Sequence, residues 1–202
     1  MNSKLGKRRG VEILAIGAWI VGVSLCRVVA GKWMPELPNF SPVMAVAFCG
    51  AFFLPGVWAY ALPLLGVVGS DIALAVTLGY PALSVGAVAG WIALGLAVAM
   101  GRWLSLSGRS GSATVLGGVV TSSALFYVAT NTASWLALPG YTKTLAGWVQ
   151  ALTVGLPGYL PTWVFFRNSL VSDLVFTGLI LATLAIVRTA TGKSAAADWQ
   201  AA

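Results

Sequence analysis

The sequence predicts an all-α membrane protein of six transmembrane helices with both termini in the cytoplasm. Three observations predict it. Of 202 residues, 58% are hydrophobic and 8% charged, against about 25% charged in a soluble domain, so no globular interior of this size could hide the apolar side chains. The apolar residues fall in stretches of bilayer-crossing length, divided by Gly, Pro and polar punctuation. The basic residues sit mostly between those stretches, so the net charge of +7 reads as a topology signal and not as an affinity for nucleic acid.

A basic segment, residues 1–10, reads MNSKLGKRRG. The apolar run after it continues to Ala30 with only Ser24 and Arg27 as interruptions, too long for the core of a signal peptide, so it is a retained first span. The transmembrane domain covers 11–188, with spans near Val11–Ala30, Pro42–Leu54, Val57–Leu78, Ser84–Trp103, Ala113–Ala129 and Trp163–Val187. The second is short and turns into the third at Pro55-Gly56, so it needs a kink or tilt to reach both interfaces. Residues 189–202 form a cytoplasmic tail.

An inside N-terminus places Lys4, Lys7, Arg8, Arg9, Arg102, Arg109, Arg188 and Lys193 in the cytoplasm, eight of the twelve basic residues. Arg27, Lys32, Lys143 and Arg167 then lie toward the outer side. Two outer connections are long. The first, GKWMPELPNFS, has Pro35 and Pro38 to stop a helix. The second runs from Thr130 to Thr162, begins TNTASW and has room for one short helix over Lys143 to Val154. Long loops between membrane helices carry recognition more often than short ones, so a ligand is expected at the outer face.

Charges at lipid depth carry the functional argument. Arg27 lies about 24 Å along its helix from the cytoplasmic end and Asp71 about 21 Å along the third, in a core of roughly 30 Å. Asp173 falls near the midplane of the last span. A charge at a helix centre costs of order 2.5–3.5 kcal/mol on insertion scales, so such groups persist where they face protein or a watery cavity. Arg167 and Asp173 are six residues apart, about 120° around the helix, and cannot pair with each other within it. Each therefore needs a partner from another element. The expectation is a neutral network of two ion pairs made by Arg27, Arg167, Asp71 and Asp173, supported by Asn39, Asn131, Asn168, Ser70, Thr130 and Gln150.

Such a network can clamp helices, line a pocket, or do both. Trp33, Phe40, Trp135, Tyr141, Trp148, Tyr159, Trp163, Phe165 and Phe166 all belong to the outer half, where an aromatic belt and a ligand pocket use the same residue types. Phe40 and Trp135 favour the pocket because they adjoin Asn39 and Asn131. Small residues four apart, at Ala18/Gly22, Ala45/Cys49, Ala47/Ala51 and Gly86/Gly90, allow close helix approach within the chain or against another subunit.

Several chemistries lack their residues. The chain contains no histidine, which removes His-dependent triads, zincins and His haem ligation. Cys26 and Cys49 stand in apolar runs without neighbouring ligand types, so neither a disulfide framework nor a metal site is expected, and no cofactor. No G-x-x-x-x-G-K-[ST] loop and no G-x-S-x-G element occurs, so no enzyme is expected.

The segments PNFSPV at 38–43, SD at 70–71, TNTASW at 130–135 and FFRNSLVSDLVF at 165–176, with Arg27 before the first outer loop, carry a family resemblance. Together they resemble a family of small, uncharacterised bacterial integral membrane proteins, itself similar to the substrate-binding S components of energy-coupling factor vitamin transporters. The resemblance spans about Arg27 to Leu181, and Arg-Asn followed five residues later by Asp is its most specific part. It implies an S-component-like six-helix bundle in the cytoplasmic membrane, with an outward pocket for a small organic solute. It further implies energy supplied by a separate transmembrane coupling subunit and ATPases. The matched positions Arg27, Asn39, Asp71, Asn131, Arg167, Asn168 and Asp173 become pocket or network candidates, while the ligand-reading motifs of the thiamine, riboflavin, biotin and folate carriers have no counterpart here. A second reading is a non-catalytic accessory subunit of a larger membrane complex, motivated by the Gly/Ala faces.

Overall fold

The computed structural model describes residues 2–33, 38–79 and 83–190, with side chains from residue 10 onward except at 32. Pro35, Lys193 and the tail 191–202 lie outside the described residues, as do the side chains of Lys4, Lys7, Arg8, Arg9 and Lys32. All regular structure among the described residues is helical: α1 (Asn2–Trp33), α2 (Val43–Phe53), α3 (Trp58–Leu78), α4 (Val85–Leu106), α5 (Ser112–Ala137), α6 (Leu145–Leu152) and α7 (Thr162–Ala190).

Five of these helices, α1, α3, α4, α5 and α7, have the length and apolar character to cross a bilayer. The expected sixth span is not among them. Helix α2 has 11 residues, which at 1.5 Å each reach about 16 Å, roughly half of a 30 Å hydrocarbon core. By itself it is too short to reach both faces of such a core. It runs through the middle of the bundle and touches all five long helices. Met44 through Phe52 are all buried, which explains a segment that is apolar on every side.

Close packing around α2 depends on small residues. Ala45 and Cys49 pack into one core cluster and Ala47 and Ala51 into another, each fully enclosed. At Gly118 of α5 a Cβ would lie 2.1 Å from the Phe48 ring, so only glycine lets that ring fit. Gly50 plays the same part against Pro63, whose Cγ a Cβ would meet at 2.6 Å. These contacts place two of the small-residue pairs inside the chain and not on a partner surface.

A short helix buried mid-bundle leaves unsatisfied N–H groups at one end and carbonyls at the other. Asp173 of α7 accepts the Ala45 N–H at 2.9 Å, and Arg102 of α4 reaches the Leu54 carbonyl at 3.5 Å. An acid at the N-terminus and a base at the C-terminus also match the helix dipole. Arg102, expected as a topology charge alone, therefore has a structural role too.

Glu12 of α1 and Arg188 of α7 pair at 3.3 Å, so the start of the first crossing helix and the end of the last lie at the same end of the bundle. That is the terminal end. The opposite, loop end carries α6 and the connections after α1, α3 and α5.

Helix α5 runs eight residues past the expected boundary at Ala129, so TNTASW is helix and not loop. Thr130, Asn131 and Ser134 each donate to the backbone carbonyl four residues earlier, which lets polar side chains continue a helix out of the apolar zone. The loop-end connection is correspondingly shorter. Lys143 donates to the carbonyls of Trp135 and Leu138 and so closes the end of α5. The expected short helix is present as α6, with Thr144 as its N-cap accepting from the Gly147 N–H at 3.2 Å. Burial raises the Tyr141 phenol above its usual range in this connection.

Candidate functional site

Three cavities open in the loop-end half of the bundle, and Phe126 of α5 lines all of them. The first, about 220 Å³, lies among α1, α3, α4 and α5 and contains Arg27, Asp71 and Trp91. The second, about 250 Å³, lies between α5 and α7 and contains Asn39, Asn131 and the rings of Tyr127, Phe165 and Phe166. A third of about 80 Å³ sits between them, lined by Arg27, Asn39, Ser41, Ser123 and Asp173. Arg27 and Val43 belong to both the first and third, and Asn39 and Ser169 to both the second and third. The three thus form one row divided by the Phe126 ring.

The charge in the first cavity is closed on itself. Arg27 Nη2 meets Asp71 at 2.8 Å, while its Nη1 donates to the Val67 carbonyl at 3.3 Å and to Ser70 Oγ. Asp71 also accepts from the Trp91 indole at 2.8 Å. One ion pair therefore ties α1, α3 and α4 together and walls a cavity at once, so the clamp and pocket readings coexist at these residues.

The expected second pair does not form. Arg167 lies exposed five residues into α7, close enough to the loop end for its long side chain to reach out of the apolar zone. Its Nε and Nη2 donate to Asn168 Oδ1 at 3.3 and 3.1 Å, and its guanidinium stands 5.5 Å from the Trp163 ring centroid. Asp173, 1% exposed, uses its two oxygens for the Ala45 N–H and for Ser123 Oγ at 2.7 Å. The acid is thus held by a helix N-terminus and a hydroxyl, with no cation needed.

Asn168 is buried and does not line the cavities. Its Nδ2 donates to the Pro38 carbonyl at 3.0 Å, and Ser169 Oγ donates to the Asn39 carbonyl at 3.0 Å, so α7 pins the segment that leads into α2. Asn39 itself has φ 59°, a left-handed turn conformation that asparagine tolerates, and lines two cavities.

The pocket expectation fails for Trp135 and Phe40, neither of which lines any of these three cavities. Trp135 stands one helical turn beyond Asn131 on α5, nearer the loop. Its indole donates to the Thr142 carbonyl at 2.8 Å and braces the loop. Gln150 likewise serves the loop, donating to the Gly155 carbonyl at 3.0 Å. Trp33 and Tyr159 are exposed as belt residues are, whereas Phe165 and Phe166 line the second cavity.

Sequence reasoning missed Trp91, Ser123, Phe126 and Tyr127. Signals existed for two of the four: for Trp91 a lone indole among the small residues of GAVAGWIALG, and for Ser123 the paired hydroxyls Ser122-Ser123 at lipid depth, where uncompensated polar groups are costly.

The fold and site define a multi-pass helical membrane protein with a divided polar cavity at one end of its bundle. The chain belongs to the family of unknown function DUF6580, whose family model matches residues 7–196. No curated protein and no solved structure matches it.

Proposed function

We propose that this chain is a solute-binding protein of the bacterial cytoplasmic membrane that takes part in the uptake of a small, vitamin-like organic molecule, as a subunit resembling the S components of energy-coupling factor transporters. The observation that carries the reading is the row of cavities meeting at Phe126, lined by aromatic faces and a few placed polar groups. Assigning the terminal end to the cytoplasm follows the distribution of Lys and Arg and turns the cavities outward. On this reading the chain binds and does not catalyse, and a coupling subunit with ATPases supplies the energy.

The test is a thermal-shift screen of the detergent-purified protein against vitamin-sized solutes, repeated with Phe126→Trp, which fills the junction. A stabilising solute whose effect is lost in Phe126→Trp, with the variant still monodisperse, supports the reading. A screen without a stabilising solute overturns it. Co-purification of a stoichiometric membrane partner without ATPases would favour the accessory-subunit reading instead.

A further inference from the structure

The hydrogen-bond bookkeeping of the second cavity has a bias that its residue types alone do not reveal. Four aliphatic hydroxyls and one phenol line it, and each has already donated its proton to a backbone carbonyl. Thr130 gives to Phe126 at 2.8 Å and Ser134 to Thr130 at 2.9 Å. Thr162 gives to Thr153 at 2.7 Å and Ser169 to Asn39 at 3.0 Å. The Tyr127 phenol is committed in the same way, to the Leu152 carbonyl.

What these oxygens have left is lone pairs. Asn131 adds another acceptor, because its Nδ2 donates to the Tyr127 carbonyl at 2.9 Å while its Oδ1 has no partner among the described residues. Among the described residues of the wall, the side-chain donors left are the second Asn131 N–H and the Asn39 amide, so acceptors outnumber donors. Among the described residues, no Lys, Arg, Asp or Glu lines this cavity.

The rest of the wall is aromatic and flat. Tyr127 and Phe166 stack with centroids 4.6 Å apart and planes 28° from parallel, and Phe126 and Phe165 complete the apolar surface. Such a wall takes a planar ring by offset stacking. An anion would meet lone pairs and no compensating charge. An apolar ring would leave the acceptors unpaired in a partly dry site.

We infer that the second cavity binds an uncharged planar heteroaromatic ring whose edge carries N–H donors, as an aminopurine or aminopyrimidine does. The inference rests on the solute-binding reading and names the substrate class of that site. The ring stacks beside Phe166, and its N–H groups donate to Asn131 Oδ1 and to the hydroxyl oxygens.

The experiment is calorimetric titration of the purified protein with adenine and cytosine, and with 6-(dimethylamino)-9-methylpurine, which keeps the purine ring and has no N–H. Benzoate and phenyltrimethylammonium serve as anionic and cationic rings. Binding by at least one of the two N–H-bearing rings, at least tenfold tighter than the fully N-methylated purine, benzoate or the quaternary cation, is the expected result. Asn131→Leu should weaken that binding at least tenfold. Should Asn131→Leu fail to fold, Ser134→Ala removes one acceptor with little change of shape and should weaken binding severalfold.

Equal binding of the N-methylated purine or of either charged ring overturns the inference, as does the absence of binding by both N–H-bearing rings. If the solute screen yields ligands that depend on Phe126 but carry no N–H, the inference falls and the solute-binding reading stands. If no solute stabilises the protein, both fall.

Discussion

Asp173 accepts the backbone N–H of Ala45 at 2.9 Å, joining residues 128 positions apart in the chain. Through this bond the last helix supplies the N-terminal cap that Pro42 cannot give to α2. The most expensive side chain of the last span is therefore the one that allows a short helix to begin in the middle of a membrane bundle.

Removing that carboxylate should destabilise the fold. Asp173→Leu leaves the buried Ala45 N–H without its acceptor, at about 1–3 kcal/mol, and leaves Ser123 Oγ with the Val119 carbonyl alone. Asp173→Asn keeps one carbonyl acceptor and should lose less, and Ser123→Ala less again. Melting temperatures in mild detergent should fall in the order wild type, Ser123→Ala, Asp173→Asn, Asp173→Leu. An Asp173→Leu variant that melts with wild type would refute the capping role.

Gly118→Ala drives a methyl group against the Phe48 ring, which is fully enclosed and has no room to retreat. Overpacking of this kind costs about 1–3 kcal/mol. Shortening the ring with Phe48→Leu should cost stability alone yet recover part of the loss when combined with Gly118→Ala. Additive losses in the double variant would show that the two side chains do not compete for one space.

For Arg27 and Asp71, whose side chains are 15% and 24% exposed, a double-mutant cycle of Arg27→Met and Asp71→Asn should give a coupling energy within about 0.5–3 kcal/mol. Each single change strands a charged or polar partner, and the double change strands fewer. A coupling indistinguishable from zero would mean that the Val67 carbonyl, Ser70 and Trp91 hold the two groups independently.

Lys143→Met removes the donor that serves the Trp135 and Leu138 carbonyls. The end of α5 should fray, by about 0.3–1 kcal/mol of local stability if its effect matches that of other cations at helix C-termini. Faster amide hydrogen exchange over residues 135–141, with the global melting temperature nearly unchanged, is the expected signature. Exchange identical to wild type would refute the anchor.

The apolar spans were legible because each is a local property of the chain. The boundaries near Leu78 and Ala30 fall close to the helix ends, whereas α5 outran its hydropathy because Thr130, Asn131 and Ser134 satisfy themselves on the helix backbone. Charge at depth correctly singled out Arg27, Asp71 and Asp173 as groups that need partners. It could not say which partners, and the simplest pairing by sign gave Arg167 to the network when it belongs to the exposed face beside Trp163.

By itself the sequence determined that most of the chain would be lipid-length helix, and that a few polar side chains would have to be satisfied within it. Apolar transfer and the cost of buried charge depend on residue type and run length, which a linear string contains. The tertiary structure alone decided that α2 stops halfway, that Asp173 caps it, and that Phe126 divides a row of cavities. Those outcomes depend on which faces meet, since a hydrogen bond and a stacked ring are made over a few ångströms between atoms far apart along the chain.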